Sequence, residues 1–448
     1  MTVARGSNRR RAALGLAALV LLGGCARGVP AQRVASEGSD LGAVTDGPPF
    51  AETPWPPAVP QPAINEPTTT SAPQLPTTTS SSGPAPGATT STSQPKAADP
   101  CAGPTVTDFP LSAAGGRPSE LAVAADGAVW FTDPGTGAVG RLAPDGSTRM
   151  FPVSAGRQAA SIAVGPTGDI WFTMYAFSSP RSAPDAPPPP PPGPPAIGRI
   201  SVADGTVAEF PLPPSSVNPA DPFFESMPRG IVAGPDGAMW FTETNAGRIG
   251  RITADGTITE YPLSDRHVSP DGIILGADGA LWFHETSAGR IGRIDPATKA
   301  ITETPIQRPN AGSAMEWGGA GPLVRGPDEG LWFGDWTRAV FRVTADGRLT
   351  RFSVAPPADG IRSIVAGPDG QLWFADQRTP ALFRMTTAGV VSRLWTPPGA
   401  PKAWESFGGM AADGGSVWVA QPWANKITRL TCPGIDAASS ARDVRANV

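Results

Sequence analysis

The side chains able to do chemistry in this 448-residue chain are few and regularly placed. A Trp-Phe or Trp-Val step recurs seven times, and acids follow it by three residues at Asp133, Glu243, Glu285, Asp335 and Asp376. His284, one of only two histidines, stands beside Glu285; the other is His267. Converging carboxylates are ligands for Mg²⁺ or Ca²⁺. The simpler expectation is that acids repeated in this way accept backbone and Arg hydrogen bonds inside their own repeats, so metal binding is left open. Three loops set an aromatic next to a glutamate: Phe224-Glu225-Ser226, Glu316-Trp317 and Trp404-Glu405-Ser406. Such pairs suit a sugar ring, a cationic group or a peptide. With Arg229 and Arg362 they form the candidate ligand-binding set Glu225, Arg229, Glu316, Trp317, Arg362, Trp404 and Glu405. A catalytic alternative uses His267 or His284 as general base with Glu285 or Asp271 as partner. No Cys/His zinc spacing, Gly-rich phosphate loop or nucleophile elbow is present.

The elements that must position these groups follow from the repeat. The tryptophans are Trp130, Trp171, Trp240, Trp282, Trp332, Trp373 and Trp418, spaced by 41, 69, 42, 50, 41 and 45 residues. The two clearest copies read GIVAGPDGAMWFTETNAGRIGRITADGTITEYPL and GIILGADGALWFHETSAGRIGRIDPATKAITETPI. Each holds four short β-like runs separated by turn chemistry such as Pro235-Asp236-Gly237 and Ala254-Asp255-Gly256. Four antiparallel strands make one blade, and radial repetition buries both blade faces while leaving short edges. The expected fold is therefore all-β, a seven-bladed β-propeller. Insertions interrupt the period at about residues 178–195 and 308–321.

The seventh copy stops after its third strand, at Lys426 to Leu430. Its missing fourth strand is found at residues 105–111, which match the last strand of the third copy. Superposed on that copy, Cys432 and Cys101 occupy neighbouring positions of one hairpin turn, so a disulfide between them is expected to seal the ring. Strand order also defines one working face around the channel mouth. Immediately before the innermost strands it carries Ser119, Ala160, Arg229, Asp271, Gly321, Arg362 and Gly408.

Composition separates this domain from what precedes it. Residues 26–100 are dominated by Pro, Ser, Thr, Ala and Gly and cannot bury enough apolar surface to fold. Before them, four arginines lead into an apolar run ending Leu22-Gly23-Gly24-Cys25. That run is too short to span a bilayer and has the polarity of a signal peptide. Its ending resembles a bacterial lipobox, in which the cysteine is acylated. The expected organisation is a signal peptide over 1–25 with lipidation at Cys25, a tether over 26–100, the propeller over 101–432 and a disordered tail over 433–448. Such a chain would be exported, by the general or the twin-arginine route, and anchored on the outer face of the cytoplasmic membrane. The net charge of −4, with Lys and Arg scattered singly, supplies no basic face for a phosphate backbone. Nucleic acid is not an expected partner, and a monomer is expected.

The repeat resembles that of the streptogramin B lyase (virginiamycin B lyase) family over about residues 105–432. That resemblance implies a seven-bladed propeller and Mg²⁺-assisted elimination that opens a cyclic depsipeptide at its ester. The family's metal-binding and catalytic groups are histidines leading into strand one of blades six and seven, with glutamates nearby. Here those positions hold Arg362 and Gly408, and the associated glutamate positions read Ser406 and Pro422. Arg stays protonated and Gly has no side chain, so neither can serve as a neutral imidazole base. The expectation is an envelope-anchored module that binds a glycan, peptide or protein ligand. The alternative is a lyase with a relocated active site.

Overall fold

The structure is a computed structural model, described here for residues 99, 101–176, 193–214, 226–306, 321–335, 339–354, 360–376, 380–400 and 407–435. The chain divides into two units, Met1–Ser91 and Thr92–Val448, and every described residue lies in the second. Cys25, the tether apart from Asp99 and the tail beyond residue 435 fall outside the described residues; Asp99 accepts from Arg384, and Ile435 packs against the last-blade cluster, so the ordered domain reaches slightly past both expected bounds.

Alternating buried and turn residues fold into seven four-stranded antiparallel sheets, one per repeat. The third blade is typical, with strands Pro228–Ala233, Met239–Glu243, Arg248–Ile252 and Ile258–Pro262 in order from the channel outwards. Its second strand is entirely buried, as expected of a strand covered on both faces. The last blade takes Met410–Ala412, Ser416–Gln421 and Lys426–Thr431 from the C-terminal end of the domain and Thr105–Pro110 from its N-terminal end. The closing register pairs Thr105 with Thr431 and Pro110 with Lys426. A Cys101–Cys432 disulfide, with Cα atoms 4.7 Å apart, locks the junction across a sequence separation of 331 residues.

The core is divided among the seams between blades. Each Trp packs into a cluster shared with the next blade: Trp240 with Ile273 and Phe283, Trp332 with Ile364 and Phe374, Trp418 with Leu121 and Phe131. In five of the blades the Asp of the first hairpin accepts from the indole N–H, at Trp240, Trp282, Trp332, Trp373 and Trp418, whereas the buried Trp130 Nε1 has no such partner. Asp236 accepts from Trp240 Nε1 at 2.9 Å and from Arg251 Nε at 2.8 Å, and the same trio recurs at Asp278, Asp328 and Asp369. Burial alone would raise the Asp236 carboxyl, but the hydrogen bonds from Trp240 and Arg251 hold it below its ordinary range. The glycine of the Arg-Ile-Gly-Arg third strand has an equally physical cause. A Cβ on Gly250 would lie 2.1 Å from the Phe241 ring, so only glycine leaves room for the Phe of the Trp-Phe step.

Ring closure and the Asp–Trp–Arg trio each generate a test. Cys101→Ser should lower unfolding free energy by about 2–5 kcal/mol in denaturant titration. Asp236→Ala leaves the buried Trp240 N–H unsatisfied and should cost about 1–3 kcal/mol. A change below 0.5 kcal/mol in either variant would show that the seam does not depend on the contact removed.

Candidate functional site

The innermost strands do not run straight into the channel mouth. β-Bulges interrupt their pairing between Ala159 and Ile162, Pro228 and Ile231, Asp271 and Ile273, and Ile361 and Ser363. A bulge leaves its extra residue out of the ladder and re-aims its side chain. Here the residues released include Arg229 and Arg362. The backbone freed by the bulge is recovered by a threonine two residues after the Trp. Thr173 Oγ1 accepts from Ser161 N at 3.0 Å and donates to the Arg229 carbonyl of the next blade at 2.9 Å. Thr132 and Thr242 accept from Glu120 N and Gly230 N at 3.1 and 3.0 Å.

These strand ends enclose a cavity of about 400 Å³ at the channel mouth, lined by Glu120, Tyr175, Arg229, Asp271 and Arg362 among others. That volume lies within the usual range for small-molecule sites. Two ion pairs cross it, Arg229–Asp271 at 3.7 Å and Arg362–Glu120 at 3.8 Å, both beyond hydrogen-bond reach. The two arginine side chains remain 43% and 42% exposed. Asp271 Oδ1 accepts from Gly272 N at 2.8 Å. Desolvation raises the Glu120 carboxyl above its ordinary value; Arg362 and Arg229 oppose this and Asp271 adds to it. Tyr175 is likewise raised by burial, against the pull of Arg229 and Arg362, and its hydroxyl donates to Gln158 Oε1 at 2.7 Å.

Of the strand-entry ring singled out from sequence, Ser119, Ala160, Arg229, Asp271, Gly321 and Arg362 line this cavity, and Gly408 does not. The histidines do not reach it as free groups. His284 is buried, its Nδ1 lies 2.9 Å from the Asp271 carbonyl, and its Nε2 is enclosed without a hydrogen bond. Burial lowers its pKa, partly offset by Asp271 and the backbone of Gly272 and Gly321. His267 is exposed on a loop, with Nδ1 3.1 Å from Asp265 Oδ1 and Nε2 accepting from Arg266. Glu225, Glu316, Trp317, Trp404 and Glu405 lie outside the described residues. Three cavity groups were not singled out from sequence: Glu120, Gln158 and Tyr175. The available signal for Tyr175 was its rarity, since the chain has two tyrosines, and its position four residues after Trp171.

The acids that follow the Trp steps are buried inside their blades. Asp133 Oδ1 accepts from the backbone of Arg117, Gly135 and Thr136. Glu243 Oε2 accepts from Ser226 Oγ at 2.5 Å. Among the described residues no three His, Cys, Asp or Glu side chains converge on a possible metal position. The donor set implied by the family resemblance does not fit Mg²⁺ here. Arg362 brings a cation to one position. At the other, a Cβ on Gly408 would lie 2.7 Å from the Ser119 carbonyl oxygen of blade one. The neighbouring backbone has closed over that site, with Gly409 N donating to Ser119 O at 2.7 Å.

Seven blades around a charged axial cavity define a propeller with its site at the channel mouth. Residues 193–315 match the virginiamycin B lyase family. A virginiamycin B lyase from Nocardia farcinica is 32% identical over 153 residues, 34% of this chain and 44% of that protein's own length. The virginiamycin B lyase from Staphylococcus aureus, solved as a catalytically inactive His-to-Ala variant with quinupristin, is 30% identical with a TM-score of 0.60. That likeness covers 73% of this chain and 99% of the other. The extracellular domain of a hybrid two-component system from B. thetaiotaomicron, at 15% identity and TM-score 0.52, shares the fold; it covers 72% of this chain and 42% of that one. The chain belongs to the virginiamycin B lyase family.

Two buried carboxyls next to the site make stability depend on pH. Burial, then the neighbouring Glu303, push Glu285 up to about 8, against the pull of Arg290. Burial and Glu260 push Glu243 up to about 7, against Ser226 and Arg248. The folded state therefore keeps protons that the unfolded chain releases near its ordinary carboxyl pKa. Stability from these groups is full below about pH 4.5 and is lost as pH rises through 7 and 8. Glu285→Gln should flatten the decline between pH 5 and 8.5 and stabilise the protein at the upper end by on the order of 2 kcal/mol. Thermal melts with the same slope in variant and wild type would show that Glu285 is already ionised.

Proposed function

We propose that this chain is an exported, lipid-anchored propeller that binds a ligand at its channel mouth and does not open cyclic depsipeptides. The observation that carries this reading is the pair of changes at the implied catalytic positions. Arg362 cannot act as a neutral base, and Gly408 is packed so tightly against Ser119 that no side chain fits. His284, the remaining candidate base near the mouth, is walled in. The cavity itself is retained, with charged groups still turned toward it.

The position where the chain joins the propeller is consistent with a surface anchor. Strand direction places Cys101 and Asp99 on the face opposite the cavity, beside Arg384 at the outer end of the sixth blade. The ligand expected at the mouth is a glycan, peptide or protein, and the anchor expected is an acylated Cys25.

Incubation with quinupristin and Mg²⁺ tests this reading. Elimination conserves mass, so ring opening is read by chromatographic shift and fragment ions. We expect unchanged antibiotic, and we expect Arg362→His, alone or with Gly408→His, to restore no turnover. Gly408→Ala should itself cost about 1–3 kcal/mol of stability through overpacking. Ring opening by the wild-type chain would overturn the proposal.

A further inference from the structure

We propose that the channel mouth is a site for a small oxyanion, a carboxylate or phosphate group gripped by Arg229 and Arg362. This rests on the reading that the mouth binds a ligand and names the ligand's class. The argument is one of unfilled donors. Each guanidinium has five N–H donors in a planar fork that matches the oxygens of a carboxylate or phosphate. Among the described residues, Arg229 and Arg362 meet only carboxylates 3.7 and 3.8 Å away, too far for hydrogen bonds. Arg362 Nε is buried and has no acceptor among the described residues. A buried charged donor left unmade is costly, and an incoming oxyanion would supply the missing acceptor.

The carboxylates in the cavity are weaker competitors than their number suggests. Asp271 already accepts from Gly272 N. Glu120 lies 3.8 Å from Arg362, beyond hydrogen-bond reach, and burial raises its carboxyl against the pull of Arg362 and Arg229. Tyr175 has spent its proton on Gln158, so the two arginines supply the strong donors that face the cavity. The substitution that removes the implied base at position 362 thus installs an anion receptor in the same place. Arg229 and Arg362 stand at bulges flanked by paired residues of the inner strands, which limits the backbone ordering that binding must impose.

The test is calorimetric titration of the purified full chain with succinate, with inorganic phosphate and with uncharged succinamide. We expect at least one anion to bind and succinamide not to bind. Arg229→Ala and Arg362→Ala should each weaken the anion by about tenfold or more, and Glu120→Gln should tighten it. Circular dichroism melts identify a variant that fails to fold, in which case Arg362→Lys, keeping the charge without the fork, should still weaken binding. Preference for succinate or for phosphate distinguishes the two oxyanions. No binding of either anion, or anion binding indifferent to both Arg→Ala changes, overturns the proposal. Succinamide binding that Tyr175→Ala abolishes would overturn the oxyanion class while leaving a ligand site at the mouth. Quinupristin turnover would instead overturn the reading beneath it.

Discussion

The dominant constraint on this molecule is that no blade can bury its own tryptophan. Each indole is covered by the apolar side chains of the following blade, so the core exists only as seams between neighbours. A chain of seven such units leaves two faces bare unless its ends meet. That is why the N-terminal strand crosses to complete the last sheet, and why a disulfide at that junction acts on the entire ring. The hairpin Asp ties turn geometry to the same seam, because one carboxylate holds the turn, the indole N–H and the Arg of the third strand together. A loss at any one of these is felt as a loss of packing between blades.

The channel mouth is freed from that constraint. Bulges just inside the start of the inner strands take residues such as Arg229 and Ser161 out of the ladder, and threonines on the second strands accept the backbone groups so released. Side chains at these positions can change without disturbing a seam. The fold is shared with the S. aureus lyase across nearly the full length of that chain at 30% identity. In this family member the mouth has diverged in two distinct ways. Arg362 sets a positive charge at the cavity, whereas at Gly408 the Ser119 carbonyl of blade one lies where a Cβ would make a 2.7 Å contact.

The buried acids show why residue type alone is an uncertain guide to chemistry. Asp133 and Glu243 occupy equivalent positions after their Trp steps, yet Asp133 is satisfied by three backbone N–H groups while Glu243 is pushed toward neutrality by burial and a nearby carboxyl. Neither faces the cavity. Their repetition reflects a place in each blade where the second strand ends and a turn needs an acceptor.

By itself the sequence determined the number of blades, the order of strands, the Trp seams and the Cys101–Cys432 closure, because each depends on local patterns that recur at a readable period. It also determined that Arg362 and Gly408 stand where the family resemblance implies histidines. Only the tertiary structure decided which of the listed charges share a cavity. A one-residue bulge chooses whether Arg229 points into the channel, and Glu120, Gln158 and Tyr175 join the site from blades whose sequences carry no special mark there. Burial decided that His284 is enclosed and that Glu285 holds its proton, since desolvation depends on what the rest of the ring places around a side chain and not on its neighbours in sequence.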